Sequence, residues 1–111
     1  MNHTVTQNTT VTFTGIDGTT YKYWVYPVET DFVAKPGNYC FGSQGSDGRI
    51  KPLYFGETEN LSERFAGHHK MPCAVQHGIN VICAHTSSSS ASKRRAEESD
   101  LIARYAPPCN G

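Results

Sequence analysis

Glu98 stands where an apolar residue would be expected. On a helix spanning residues 93–105, with ~3.6 residues per turn, Ala91, Leu101, Ile102 and Tyr105 lie within about 60° of it. Glu98 is therefore expected in the stripe facing the protein, with Glu97, about 100° away, reaching solvent. A buried unpaired carboxylate is costly, so Glu98 needs a cation, a set of donors or a raised pKa. An ion pair with Arg94 one turn earlier would serve, as would a metal ion or a role as acid or base. A second helix, expected from Asn60, carries Arg64 with His68 one turn on. Arg presents a fixed fork of donors to a phosphate, although an Arg stem can also simply cover apolar surface beside a surface His. Two short strands contribute Tyr39 and Tyr54. A register pairing 39 with 54 puts Tyr39, Phe41 and Tyr54 on one face and Cys40, Leu53 and Phe55 on the other. Such aromatics are also ordinary core, and a one-residue slip would separate the tyrosines.

The elements that would hold these groups follow from turn chemistry and periodicity. Residues 11–14 and 21–28 are rich in β-branched and aromatic residues around the turn GIDGTT, which predicts a hairpin. Residues 37–42 and 51–56 form a second hairpin around SQGSDGR. Asn60 is a good N-cap with Glu63 as the return half of a capping box, and Pro72 opposes continuation of that helix. Residues 80–85 form an inner strand, and 86–92 a serine-rich loop leading to the last helix, which Pro107 and Pro108 end. Residues 1–10 are expected to fray. The order β-β, β-β-α, β-α with short connections points to a small α+β fold: a mostly antiparallel sheet flanked by helices, in one domain.

Composition narrows the function. The 111 residues carry ten Lys+Arg against ten Asp+Glu, 37% apolar residues and twelve aromatics, enough for a core and incompatible with a disordered tail. No apolar run approaches the ~18 residues of a membrane span. Residues 1–34 hold one basic residue against three acidic, whereas 35–111 hold nine against seven, so any anion-facing surface belongs to the later part. The opening MNHTVTQNTT has no secretory pattern, so Cys40, Cys73, Cys83 and Cys109 are expected as reduced thiols in a cytoplasmic protein.

Taken in order, the chemical residues resemble the GIY-YIG endonuclease domain over roughly residues 35–110. Gly37-Asn38-Tyr39 corresponds to its first tripeptide and Tyr54-Phe55-Gly56 to its second. The family arginine, ten residues after the second tyrosine, falls on Arg64, and the histidine one turn later on His68. The closing E-x-x-L-I-x-x-x-x-P-x-x-N resembles the run from Glu98 to Asn110. Two departures stand out. Asn38 replaces an apolar residue, and residues 1–34, with their hairpin, have no counterpart in the minimal domain of residues 35–111.

The resemblance implies metal-dependent hydrolysis of DNA phosphodiester bonds. Glu98 would hold one Mg²⁺ or Mn²⁺, since a single carboxylate suits a hard cation that keeps its waters. Arg64 would stabilise transition-state charge, Tyr54 would orient the phosphate or the nucleophile, and Asn110 would pin the architecture. Tyr39 is one expected general base if a neighbouring cation lowers its pKa, and His68 is its rival. With no basic excess, affinity for DNA should be weak unless a second copy or a partner protein supplies grip. Two other readings remain: a DNA- or partner-binding module of the same fold without turnover, and a zinc protein using His69, Cys73, His77, Cys83 and His85.

Overall fold

The computed structural model describes residues 9–88 and 90–111; of residues 1–10, expected to fray, 1–8 lie outside the described residues, as does Ser89 of the serine loop, whereas the Thr9 carbonyl accepts the Val25 N–H at 3.0 Å and Thr10 begins the first strand. Five strands form one antiparallel sheet: β1 (Thr10–Thr14), β2 (Thr20–Pro27), β3 (Gly37–Gln44), β4 (Ile50–Thr58) and β5 (Val81–His85). Their spatial order is β1-β2-β5-β3-β4, so β5 enters between the two hairpins. Its five residues are all buried, as an inner strand requires. Pro52 sits on the outer strand β4, where a missing N–H costs the ladder little.

Alternation along the strands separates two cores. Phe13, Tyr23, Val25, Cys40, Phe55, Val81 and Cys83 project to one face, against Leu101 of α3 (Ala91–Tyr105). Tyr39, Phe41, Ile82 and Ala84 project to the other, with Leu61 of α1 (Leu61–Arg64) and Ala74 of α2 (Met71–Gln76). The result is a small α+β domain with helices on both faces of the sheet.

Several expectations change. The first helix does start at Asn60, whose side chain accepts the Ser62 N–H at 3.0 Å. The expected return bond from Glu63 is replaced: Thr58 Oγ1 accepts the Asn60 N–H at 3.1 Å. That helix lasts one turn, and Gly67, at φ 69°, lets the chain reverse before His68. Pro72 opposes nothing, because it occupies the first turn of α2, where its missing N–H has no helical partner to lose. The strand register also differs: Tyr39 pairs with Gly56 and Phe41 with Tyr54. A shift of two keeps the tyrosines on one face. A bulge between Phe41 and Gly42 moves Leu53 off the Cys40/Phe55 face into the tyrosine core.

The four cysteines are not all reduced. Cys73 of α2 and Cys109 of the C-terminal tail form a disulfide, with Cα atoms 5.9 Å apart. A sequence separation of 36 gave no hint of their proximity; closing such a loop contributes about 3–4 kcal/mol in the chain-entropy account. Cys40 and Cys83, cross-strand partners in the core, are free and buried. Among the described residues no helix is long and apolar enough to cross a membrane.

Candidate active site

Tyr39 is the hub of a buried polar cluster. Its hydroxyl lies 2.7 Å from His68 Nε2 and accepts a hydrogen bond from Arg64 Nε at 3.1 Å. The Arg64 guanidinium lies 5.9 Å from the centre of the Tyr39 ring. The Tyr54 ring is 6.1 Å from that of Tyr39 and 5.3 Å from that of His68. Strands β3 and β4 and the segment around α1 thus bring Tyr39, Tyr54, Arg64 and His68 to one place.

Backbone geometry assigns the proton on His68. Its Nδ1 accepts the Lys70 N–H at 3.0 Å, so the proton of the neutral ring sits on Nε2 and is donated to the Tyr39 oxygen. Burial first, then the charges of Arg64, His69 and Lys70, hold the His68 pKa down at about 4. A neutral His68 that already donates from Nε2 cannot take a proton there, which weighs against its role as the base. Tyr39 receives two N–H donors, an arrangement that favours its anion. Burial and Tyr54 nonetheless push its phenol well above the ordinary value, and Arg64 offsets only part of that.

The titration of His68 has a consequence for stability. Its pKa is 6.5 unperturbed and about 4 in the fold, so between these values the unfolded chain binds more protons. Stability should therefore rise from pH 4 to 6.5 and level off above, with His68 contributing about 1–2 kcal/mol after solvent screening. Chemical denaturation across this range should lose that part of the slope in His68→Gln. An unchanged slope would show that His68 titrates alike in both states.

The motif glycines have a packing reason. A Cβ at Gly56 would overlap the Tyr39 ring and lie 2.5 Å from its hydroxyl oxygen. A Cβ at Gly37 would lie 2.5 Å from the His85 carbonyl. Gly56→Ala should thus force Tyr39 off its donors and cost about 1–3 kcal/mol, read as a lower denaturant midpoint. A midpoint like that of the unsubstituted chain would mean that the Tyr39 ring lies elsewhere.

The last helix corrects the helical-face reading. Its buried residues are Arg94, Glu97 and Leu101, and Glu97, expected in solvent, is the sealed carboxylate. Glu97 Oε2 accepts from the Tyr23 hydroxyl at 2.6 Å and from His85 Nε2 at 2.7 Å. The Ser87 N–H at 3.1 Å from His85 Nδ1 fixes that tautomer. Burial and the neighbouring Glu97 push the Tyr23 phenol far up. Periodicity alone centres the inward face on Glu98, among Ala91, Leu101, Ile102 and Tyr105, but the first half of α3 packs a polar network inward. Tyr23, at an inward position of β2, was the available signal. Arg94 pairs with Glu57 at 3.1 Å rather than with Glu98. Asn38 is fully buried and donates to the Arg94 carbonyl at 3.0 Å, fastening β3 to α3.

Glu98 is half-buried, and among the described residues it has no hydrogen-bond or ion-pair partner. Burial raises its pKa, Glu57 raises it further, and the cations of Arg64 and Arg95 oppose both. The Arg64 cation acts on Glu98 although α1 and α3 pack on opposite faces of the sheet. Such an acid, short of partners and beside a second carboxylate, has the donor chemistry for a hard divalent cation that keeps most of its waters. Asn110 serves this strand. Its side chain accepts the Phe55 N–H at 2.8 Å and donates to the Phe55 carbonyl at 3.0 Å. It touches the backbone between Tyr54 and Gly56 rather than the hydroxyl cluster.

The five residues considered for zinc do not converge. Cys83 is in the core, His85 binds Glu97, and His69 stacks on His68 at 5.0 Å. Cys73 and His77 instead meet Cys109. Comparison of the chain with protein-family models, with characterised proteins and with solved structures finds no match to any of them.

Proposed function

We propose that the chain is a GIY-YIG-like endonuclease that hydrolyses DNA phosphodiester bonds, with residues 1–34 as an added hairpin on that domain. The observation that carries this reading is the Tyr39 oxygen with Arg64 and His68 donating to it, Tyr54 beside it, and Glu98 within the field of Arg64. Arg64 holds the phosphate and offsets the charge that builds at phosphorus; its Nε is already oriented by Tyr39, leaving the terminal amino groups for the substrate. Tyr39 would take the proton of the attacking water only as its phenolate, which the two N–H donors favour and which burial and Tyr54 oppose in the chain alone. His68 is a positioning residue, fixing the Tyr39 hydroxyl from a neutral ring. Tyr54 orients the phosphate by hydrogen bond, and Asn110 holds the strand that carries Tyr54. Glu98 would hold a Mg²⁺ or Mn²⁺ ion, which would supply Lewis acidity toward the phosphate.

The balanced net charge favours a second reading, a DNA- or partner-binding module that has lost turnover. Incubation of supercoiled plasmid with the chain separates them. The nuclease yields nicked circles that depend on Mg²⁺ or Mn²⁺ and disappear with chelator. Retarded but uncut plasmid supports the module. Plasmid that is neither nicked nor retarded overturns both readings.

A further inference from the structure

We propose that the reduced chain binds one Zn²⁺ through Cys73, His77 and Cys109, at a site separate from the tyrosine cluster. Cys73 and His77 are four residues apart and share one side of α2 and its C-terminal turn, so both point at the tail. His77 Nδ1 lies 3.8 Å from Cys73 Sγ and 4.0 Å from Cys109 Sγ. Tetrahedral zinc with Zn–S ~2.3 Å and Zn–N ~2.05 Å needs nitrogen–sulfur separations of about 3.6 Å, within a few tenths of these. Two thiolates and an imidazole favour zinc over the hard cations suited to Glu98.

The frame does not depend on the disulfide. The Cys109 N–H is bonded to the Leu53 carbonyl at 2.9 Å, and Asn110 is clamped to Phe55 on the same strand. The His77 N–H closes α2 on the Cys73 and Ala74 carbonyls. With the sulfurs parted, the three side chains stay opposite one another. Two adjustments remain: the sulfurs separate to about 3.8 Å, and His77 Nδ1 gives up its contact with the Cys73 carbonyl. His77 is exposed and Cys73 half-buried, which leaves a fourth position open to water.

Disulfide and zinc are alternative staples for the same pair of segments. Two equivalents of a low-molecular-weight thiol reduce the Cys73–Cys109 bond, delivering two electrons and two protons and leaving as their own disulfide. Zinc then displaces both thiol protons. Either staple ties α2, which follows His68, to the tail that carries Asn110.

The test is titration of untagged chain, reduced with a phosphine, using Co²⁺ as a spectroscopic probe and Zn²⁺ to displace it. One equivalent of Co²⁺ should give thiolate charge-transfer absorption that Zn²⁺ abolishes. His77→Ala, at an exposed position, should keep the fold and weaken binding at least ~10-fold, and Cys73→Ser should do the same. The oxidised chain should bind none. Absence of the absorption in the reduced chain, Co²⁺ affinity unchanged in His77→Ala or Cys73→Ser, or equal binding by the oxidised chain would overturn the assignment.

Discussion

Arg64→Ala should lower plasmid nicking by about 10²–10³-fold while the protein stays folded, because it removes the guanidinium that meets charge developing at phosphorus. Its contribution to stability is small by comparison: one hydrogen bond to the Tyr39 hydroxyl, about 1 kcal/mol, from a side chain that is only partly buried. The substitution acts a second way. Arg64 is the cation that lowers the Tyr39 phenol pKa against burial, so its loss leaves Tyr39 harder to ionise. Arg64→Lys should rescue little, since an ammonium cannot bond Tyr39 and a phosphate with one planar fork. Rates should be measured at saturating Mg²⁺ together with a thermal melt. Nicking within about threefold of the unsubstituted chain would remove Arg64 from the reaction and with it the proposed role of the cluster.

Glu98→Gln should separate activity from stability. The raised pKa means that the folded chain holds the Glu98 proton more tightly than the unfolded chain does. That contribution is fully present below the unfolded pKa and is lost as pH rises through the folded value. At neutral pH the ionised carboxylate therefore burdens the fold, and glutamine should melt at the same temperature or higher. A divalent cation favours the ionised form, so Mn²⁺ should raise the melting temperature of the unsubstituted chain and leave Glu98→Gln unmoved. Nicking should fall by at least ~10²-fold, since the cation's contribution to catalysis is several kcal/mol. Equal Mn²⁺ shifts in both proteins would place the ion elsewhere.

Residue types and spacing located the tyrosine cluster because each member is tied to a local rule. Tyr39 and Tyr54 share a face by strand parity, which survives a register shift of two. Asn60 caps the turn that presents Arg64, and the glycines at 37 and 56 are small because neighbouring atoms fill their Cβ positions. What escaped depends on contacts distant in sequence. Nothing local says that β5 enters between β2 and β3, or that Cys73 meets Cys109. Glu97 reads as a solvent residue until Tyr23 and His85 arrive from two strands, β2 and β5. Leu53 changes core through a bulge that no residue near it announces, and Pro72 signals the start of α2 as readily as the end of a helix.

The geometry around Arg64 and Glu98 is most directly tested by a crystal soaked with Mn²⁺ and a short DNA duplex carrying uncleavable phosphorothioate linkages. The account predicts an anomalous peak beside the Glu98 carboxylate and a backbone phosphate between that peak and the Arg64 guanidinium, with the Tyr39 hydroxyl facing phosphorus. Manganese bound away from Glu98, or a phosphate seated where neither Arg64 nor Tyr39 can reach it, would contradict it.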